Sequence, residues 1–178
     1  MAREDWGLDL MQRHRRLFTI NADEPFRSFG YPFCGRGWRD LVDRLCGRIE
    51  GVLRDGETFE FVQIKQKIGV LRAVWDGDAS EDTETKIGHA VNLAVARSAC
   101  TCEICGREGR LFNNRGWLET RCAEDAVGET VPPRYGAGFE NVRRFRRWRG
   151  HADMYFATYD RETDTLTEVL PPSPKQEG

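Results

Sequence analysis

Long apolar runs are missing from this sequence. Nowhere in its 178 residues does it approach the roughly 18 consecutive apolar positions a membrane span requires. The first residues, Met1 to Trp6, carry charges of both signs and no apolar core, so no secretory leader is expected and a cytoplasmic protein is. A strong charge of either sign is also lacking: the formal net charge of -2 excludes a global attraction to nucleic acid or an anionic membrane, leaving only local patches. Histidine is scarce, with His14, His89 and His151 far apart. There is no glycine-rich phosphate loop, no G-x-S-x-G and no H-E-x-x-H. No internal repeat is found. What is present, 39% hydrophobic and 31% charged residues, suffices for a modest core and excludes wholesale disorder.

Apolar periodicity then predicts the elements. Residues 4 to 18 read as a helix, with Trp6, Leu10 and Phe18 loosely in step. A loop runs to Gly37. From Trp38, the positions Leu41, Val42, Leu45, Cys46 and Ile49 follow one apolar helical face, which makes Cys46 a small buried hydrophobe. Residues 58 to 75 read as two antiparallel strands turning near Gly69, with Val62, Ile64, Ile68, Leu71, Ala73 and Trp75 on the apolar side. After an acidic loop, Ser80 caps a helix to about Ser98 whose stripe is Ile87, Val91, Ala94 and Val95, with His89 beside it. Phe139, Val142, Phe145 and Trp148 recur every three residues, which predicts a short basic helix over 139 to 149. Strands are expected at Met154 to Tyr159 and Thr165 to Val169. The division expected is an α+β domain over 1–99, a metal-knuckle module packed on it over 100–130, a basic segment with a C-terminal hairpin over 131–170, and a disordered tail over 171–178.

Cysteine is the informative residue. Cys34 and Cys46 stand apart, whereas Cys100, Cys102, Cys105 and Cys122 cluster. With no export signal, a disulfide framework is not expected. In Cys102-Glu-Ile-Cys105-Gly106, two intervening residues let a tight turn present both thiolates to one ion, and the glycine relieves crowding past it. Cys122 follows a turn-rich insert holding Gly109, Asn113, Asn114 and Gly116, with Trp117 expected to pack over the site. The arrangement resembles a zinc ribbon or treble clef around a structural Zn2+. The fourth ligand is Asp125, which stands where a second pair would end, or alternatively Cys100. The fold class expected is therefore α+β: helix, β-hairpin and helix, a zinc-ribbon or treble-clef-like module, then a C-terminal β-hairpin.

Ile64-Lys-Gln-Lys-Ile-Gly-Val-Leu-Arg72, Cys102-Glu-Ile-Cys-Gly106, Gly116-Trp117, Thr120 and Cys122, with Gly37-Trp38 upstream, resemble a loose group of uncharacterised small zinc-ribbon-like proteins of bacterial and tailed-phage genomes. The resemblance covers about residues 30 to 126. That group tends to have Cys-x-x-His as its second pair, so Asp125 is a departure. The resemblance implies a zinc-binding fold and a phage or mobile-element context, hence a host cytoplasm, and it carries no activity.

No catalytic constellation is assembled. A zinc deaminase needs His-x-Glu before its Cys-x-x-Cys, and His89-Ala90-Val91 lacks it. Glu103, Glu119 and Glu124 lie near the cysteines without diagnostic spacing for a hydrolytic base. In the basic stretch, Arg143, Arg144, Arg146, Arg147 and Arg149 surround Phe145 and Trp148; as a helix they would turn the aromatics to the core and leave the arginines solvated, and they also suit an acidic protein partner, the acidic loop at 76 to 84, or nucleic acid. The expected function is a non-enzymatic, zinc-stabilised binding protein acting on a protein partner, of the inhibitor or immunity type. The alternatives are a nucleic-acid-binding zinc ribbon and a cryptic zinc hydrolase. A small-molecule substrate is not expected.

Overall fold

The structure, a computed structural model, describes residues 5–132, 142–146 and 154–171. The described residues are mixed α and β, with three α-helices and three small sheets. Helix α1 (Trp6–Arg13) starts at Asp5, whose carboxylate accepts from the Gly7 and Leu8 amides. It is shorter than the apolar spacing suggests. The chain leaves the helix at His14, whose ring is held between Glu50 (2.8 Å) and Asp43 (3.2 Å) of the next helix, and one 3-10 turn (Arg15–Leu17) redirects Leu17 and Phe18 into the core.

Helix α2 (Arg39–Val52) buries Leu41, Val42, Leu45, Cys46 and Ile49, the face its periodicity marks. Helix α3 (Glu81–Ser98) packs beside it, its N-terminus capped by Ser80 Oγ, which accepts from the Thr83 amide, and Ile87, Ala90, Val91 and Ala94 face inward. Cys46 is wholly buried and its thiol pKa is pushed up by that burial, consistent with an apolar core residue.

Three strands cover these helices in the order β1-β2-β3: β1 (Pro32–Phe33), β2 (Glu60–Lys67) and β3 (Val70–Asp76). The two-residue turn Ile68-Gly69, both at positive φ (53° and 75°), closes the antiparallel β2–β3 hairpin. One expectation about its faces is corrected. A bulge between Phe61 and Gln63 lets Phe61 and Ile64 both point inward and turns Val62 outward, while Ile68 sits exposed on the turn. Phe61 wins the core position because it closes on Phe18 and Phe59, with ring centroids 5.2 and 4.8 Å away.

The second sheet, β5-β4-β6, comprises β4 (Arg110–Asn114), β5 (Trp117–Arg121) and β6 (Glu129–Thr130). The third, β7-β8-β9, comprises β7 (Val142–Arg146), β8 (Met154–Asp160) and β9 (Thr165–Val169), so the expected C-terminal hairpin is present with a strand added. That added strand overturns the expected helix over 139 to 149, at least for residues 142–146. There the two-residue alternation prevails: Phe145 is buried, Arg144 and Arg146 are exposed, and β8 supplies ladder partners from Val142↔Thr158 to Arg146↔Met154. Phe145, Ala157 and Tyr159 pack on Leu93 and Ala96 of α3. Trp148, Arg147, Arg149 and nearly all of the expected tail lie outside the described residues.

Candidate metal centre

Four segments meet at the cysteine cluster. After α3, the chain makes an isolated bridge between Thr101 and Glu108, enclosing the Cys102–Cys105 turn. Gly106, at φ +79°, donates its amide to the Cys102 carbonyl (2.9 Å), the conformation the sequence assigns to this glycine. Cys122 directly follows β5, and a turn after it brings Asp125 back. One ligand atom each from Cys102, Cys105, Cys122 and Asp125 lies within 4.8 Å of all the others. Asp125 Oδ2 is 3.3 Å from Cys102 Sγ and 3.2 Å from Cys122 Sγ, and Cys105 Sγ is 3.6 Å from Cys122 Sγ. These side chains can hold a metal ion. Cys102 and Cys122 are buried, Asp125 is half-buried and Cys105 is exposed.

The alternative ligand Cys100 is placed elsewhere. Its Sγ turns back to the carbonyls at the end of α3, 3.3 Å from Arg97 O and 3.8 Å from Ala96 O. Trp117 does not cover the site: it is 73% exposed, because it sits opposite Asn114 at the far tip of the β4–β5 hairpin. Five residues of strand, about 16 Å, separate it from Cys122.

Arg107 takes the covering position instead. Its guanidinium donates to Cys105 Sγ (3.3 Å) and Cys122 Sγ (3.6 Å), and it forks onto both Glu124 oxygens at 2.6 and 2.7 Å. The electrostatics follow from these contacts. Burial pushes the Cys102 thiol up to about 11. The hydrogen bond with Asp125 works to raise Cys105, and Arg107 outweighs it, so that thiol is lowered. The three cysteine hydrogen bonds hold Asp125 below the usual carboxylate range.

No protein-family model, curated protein or solved structure matches the chain. What the site does is therefore read from its own geometry.

The carboxylates considered as bases are engaged. Glu103 is buried, accepting from the Gly35 amide (2.9 Å) and from Arg121 (2.9 Å). Glu119 pairs with Arg121 at 2.8 Å and Glu124 with Arg107. His14 is bound to Glu50 and Asp43, and His89 lies exposed on α3; His151 is outside the described residues. Of the basic stretch, Arg144 and Arg146 are exposed, whereas Arg143 turns inward toward the Val95 carbonyl. Asp82, expected in the acidic loop, lies in the first turn of α3 and pairs with Arg54 and Lys86.

Sequence reasoning missed the other half of the site. Gly37 donates its amide to the Glu103 carbonyl (2.8 Å), and a side chain at Gly37 would lie 2.3 Å from the Cys102 carbonyl oxygen and 2.5 Å from the Gly106 nitrogen. Gly35 is pressed as closely, with Glu103 O 2.2 Å from where a Cβ would stand. Trp38, wholly buried, donates its indole N–H to Thr101 O at 2.8 Å. The available signal was the Gly35-Arg-Gly37-Trp38 string itself, two glycines where backbone must meet backbone. On the other flank, Thr120 Oγ1 donates to Gly69 O (2.6 Å) and Gln66 donates to Leu118 O (2.7 Å), fastening the β2–β3 turn to β5.

Proposed function

We propose that Cys102, Cys105, Cys122 and Asp125 hold one structural zinc ion, and that the protein is a non-enzymatic binding protein that acts by occupying a macromolecular partner. The observation that carries the first part is the closed donor set. Around a tetrahedral zinc with Zn–S of about 2.3 Å and Zn–O of about 2.0 Å, donors stand about 3.5–3.8 Å apart. Three of the six separations, 3.2 to 3.6 Å, lie within a few tenths of that, all four atoms fall within 4.8 Å of one another, and three thiols with one carboxylate suit zinc better than the oxygen-seeking cations. All four positions are filled by protein, the pattern of a scaffold site. The segments it joins, 35–38, the end of α3, the β4–β5 hairpin and the β2–β3 turn, are the ones whose backbones interlock.

A binding role is supported by what this scaffold exposes. Phe26, Phe29 and Phe33 are 52%, 65% and 61% exposed near one another in sequence, and Trp117 is 73% exposed on its hairpin tip. Large exposed aromatics are the side chains that anchor protein interfaces. The resemblance to phage and bacterial proteins adds an accessory role of the inhibitor or immunity type. A nucleic-acid role would rest on Arg144 and Arg146, side by side on the outer face of β7.

Elemental analysis tests the metal. One zinc per chain is expected, lost in Cys102→Ser, weakened in Asp125→Ala and kept in Cys100→Ser; a zinc-free, stably folded wild type ends the reading. Zinc-loaded protein immobilised against host lysates should retain one specific protein at near-equal stoichiometry. Retention of nucleic acid instead, with steep salt dependence abolished in Arg144→Glu/Arg146→Glu, would favour the alternative.

A further inference from the structure

Along the free edge of β3 runs a groove of about 390 Å³, bounded on one side by residues 70–73 of that strand and floored by Val91 and Val95 of α3. Three of its properties bear on what enters it.

The first is the strand edge. Among the described residues β3 pairs with β2 alone. The Leu71 amide points away from β2, donating to Ser98 Oγ at 2.8 Å. Strand alternation puts the Ala73 N–H and C=O on that same outer edge, and neither has a partner among the described residues. A lined groove beside an unpaired strand edge is the setting in which an extended peptide adds as a further strand.

The second is charge. Arg143 reaches the groove from β7, makes a single long hydrogen bond to Val95 O (3.4 Å) and meets no carboxylate among the described residues. Burial lowers its pKa to about 10, so it stays charged at neutral pH and short of a counter-charge. Lys67 and Arg72 line the same groove, and neither has an ion-pair partner among the described residues. Three cations around an apolar floor call for an acidic occupant.

The third is the lining, which among the described residues sets aliphatic side chains beside these cations and includes no aromatic ring. Nucleobases gain their affinity for protein grooves by stacking on such rings, so the groove suits a peptide better than a single strand.

We propose that this groove receives an extended acidic segment of a partner protein, which adds to the edge of β3 at Ala73 and sets a carboxylate against Arg143. This rests on the reading of the protein as a macromolecular binder and names where and what it binds. The partner segment alternates acidic with aliphatic residues, acids toward Arg143, Lys67 and Arg72 and aliphatics toward Val91 and Val95.

The test is fluorescence anisotropy on the zinc-loaded full chain with three labelled probes: a heptapeptide alternating valine and glutamate, its valine–glutamine counterpart, and a decathymidine. The acidic peptide should bind at least about tenfold tighter than the neutral one, the worth of a charge-assisted hydrogen bond. Arg143→Gln should abolish that preference. Ala73→Pro, which removes the outward N–H and leaves the β2 ladder intact, should weaken both peptides about tenfold or more. Thermal melts check that each variant folds. Should Ala73→Pro not fold, Arg143→Gln still decides, and Lys67→Glu/Arg72→Glu on the exposed rim replaces either. Equal affinity for both peptides, a preference that survives Arg143→Gln, or decathymidine binding lost in Arg143→Gln would overturn the proposal. So would undiminished capture of a lysate partner by Ala73→Pro, an outcome that leaves the binding role itself standing.

Discussion

The β5-β4-β6 and β7-β8-β9 sheets are both small, and among the described residues each buries few large side chains, yet they are fastened to the helices by different chemistry. The first has Leu111 and Phe112 as buried apolar residues and is joined through the cysteine cluster and the glycine interlock. The second rests Phe145, Ala157 and Tyr159 on α3, where Asn92 donates to Arg146 O and Arg97 to the Tyr159 hydroxyl, and it carries a buried carboxylate at one turn. Asp164, in the β8–β9 turn, accepts from Tyr159 (2.6 Å) and Arg48 (2.7 Å), with Arg97 at 3.6 Å. Small sheets cannot supply enough apolar burial to hold themselves, and here two different staples make up the shortfall. The proposed metal site would make the first sensitive to chelation, and the carboxylate makes the second sensitive to protons.

Metal removal should give the largest separation between them. Chelation at neutral pH, or Cys102→Ser, should lower stability by more than about 4 kcal/mol, the scale of losing a structural metal. Hydrogen exchange should then show β4 and β5 losing protection while β8 and β9 keep theirs; equal loss in both sheets would break the comparison. Gly37→Ala comes next. Its Cβ would meet the backbone at Cys102 and Gly106, neither of which can give way, at a cost of about 3 kcal/mol read from denaturant melts. Zinc content should survive, since Gly37 is not itself a ligand.

Asp164→Asn should cost about 2 kcal/mol, reduced from the value for a fully buried pair because Arg48 is a third exposed. This loss should be the same with and without chelator. Burial works to raise the Asp164 pKa, and the hydrogen bonds from Tyr159 and Arg48 outweigh it, so the folded value is lowered. Its stabilisation is therefore complete above the unfolded aspartate pKa of about 3.9 and fades as pH falls through the lower folded value. An acid titration followed by the amide resonances of β8 and β9 should show a step below about pH 4 that Asp164→Asn lacks. Smallest of all, Cys100→Ser should change stability by less than about 1 kcal/mol and leave the metal in place, because its thiol meets only the end of α3.

How much was legible in the sequence follows from the range of each interaction. The face of α2 and the turn at Ile68-Gly69 are set by residues within a few positions of one another, and both read correctly. Cys102, Cys105, Cys122 and Asp125 also come together as their spacing implies, through two local turns. Phe61 against Val62 could not be read, since the bulge answers to Phe18, more than forty positions away. The basic stretch satisfies both a three-residue and a two-residue apolar period, and the choice lies with β8. Arg107, as a charged residue in a loop, gave no sign that it would clasp two sulfurs. Gly35 and Glu103 meet across 68 residues, beyond any local pattern.

The contact of Trp38 with Thr101 spans a similar length of chain and bears on biosynthesis. The indole of Trp38 is enclosed in the finished protein, but its acceptor, Thr101, is translated 63 residues later. A nascent chain must therefore leave the ribosome with the socket around Trp38 open until the cysteines and Asp125 have emerged. On the proposal that zinc closes the turn, metal supply would govern maturation as well as strength. A starved cell would hold chains complete in sequence and unfinished at Trp38, the state that proteases recognise first.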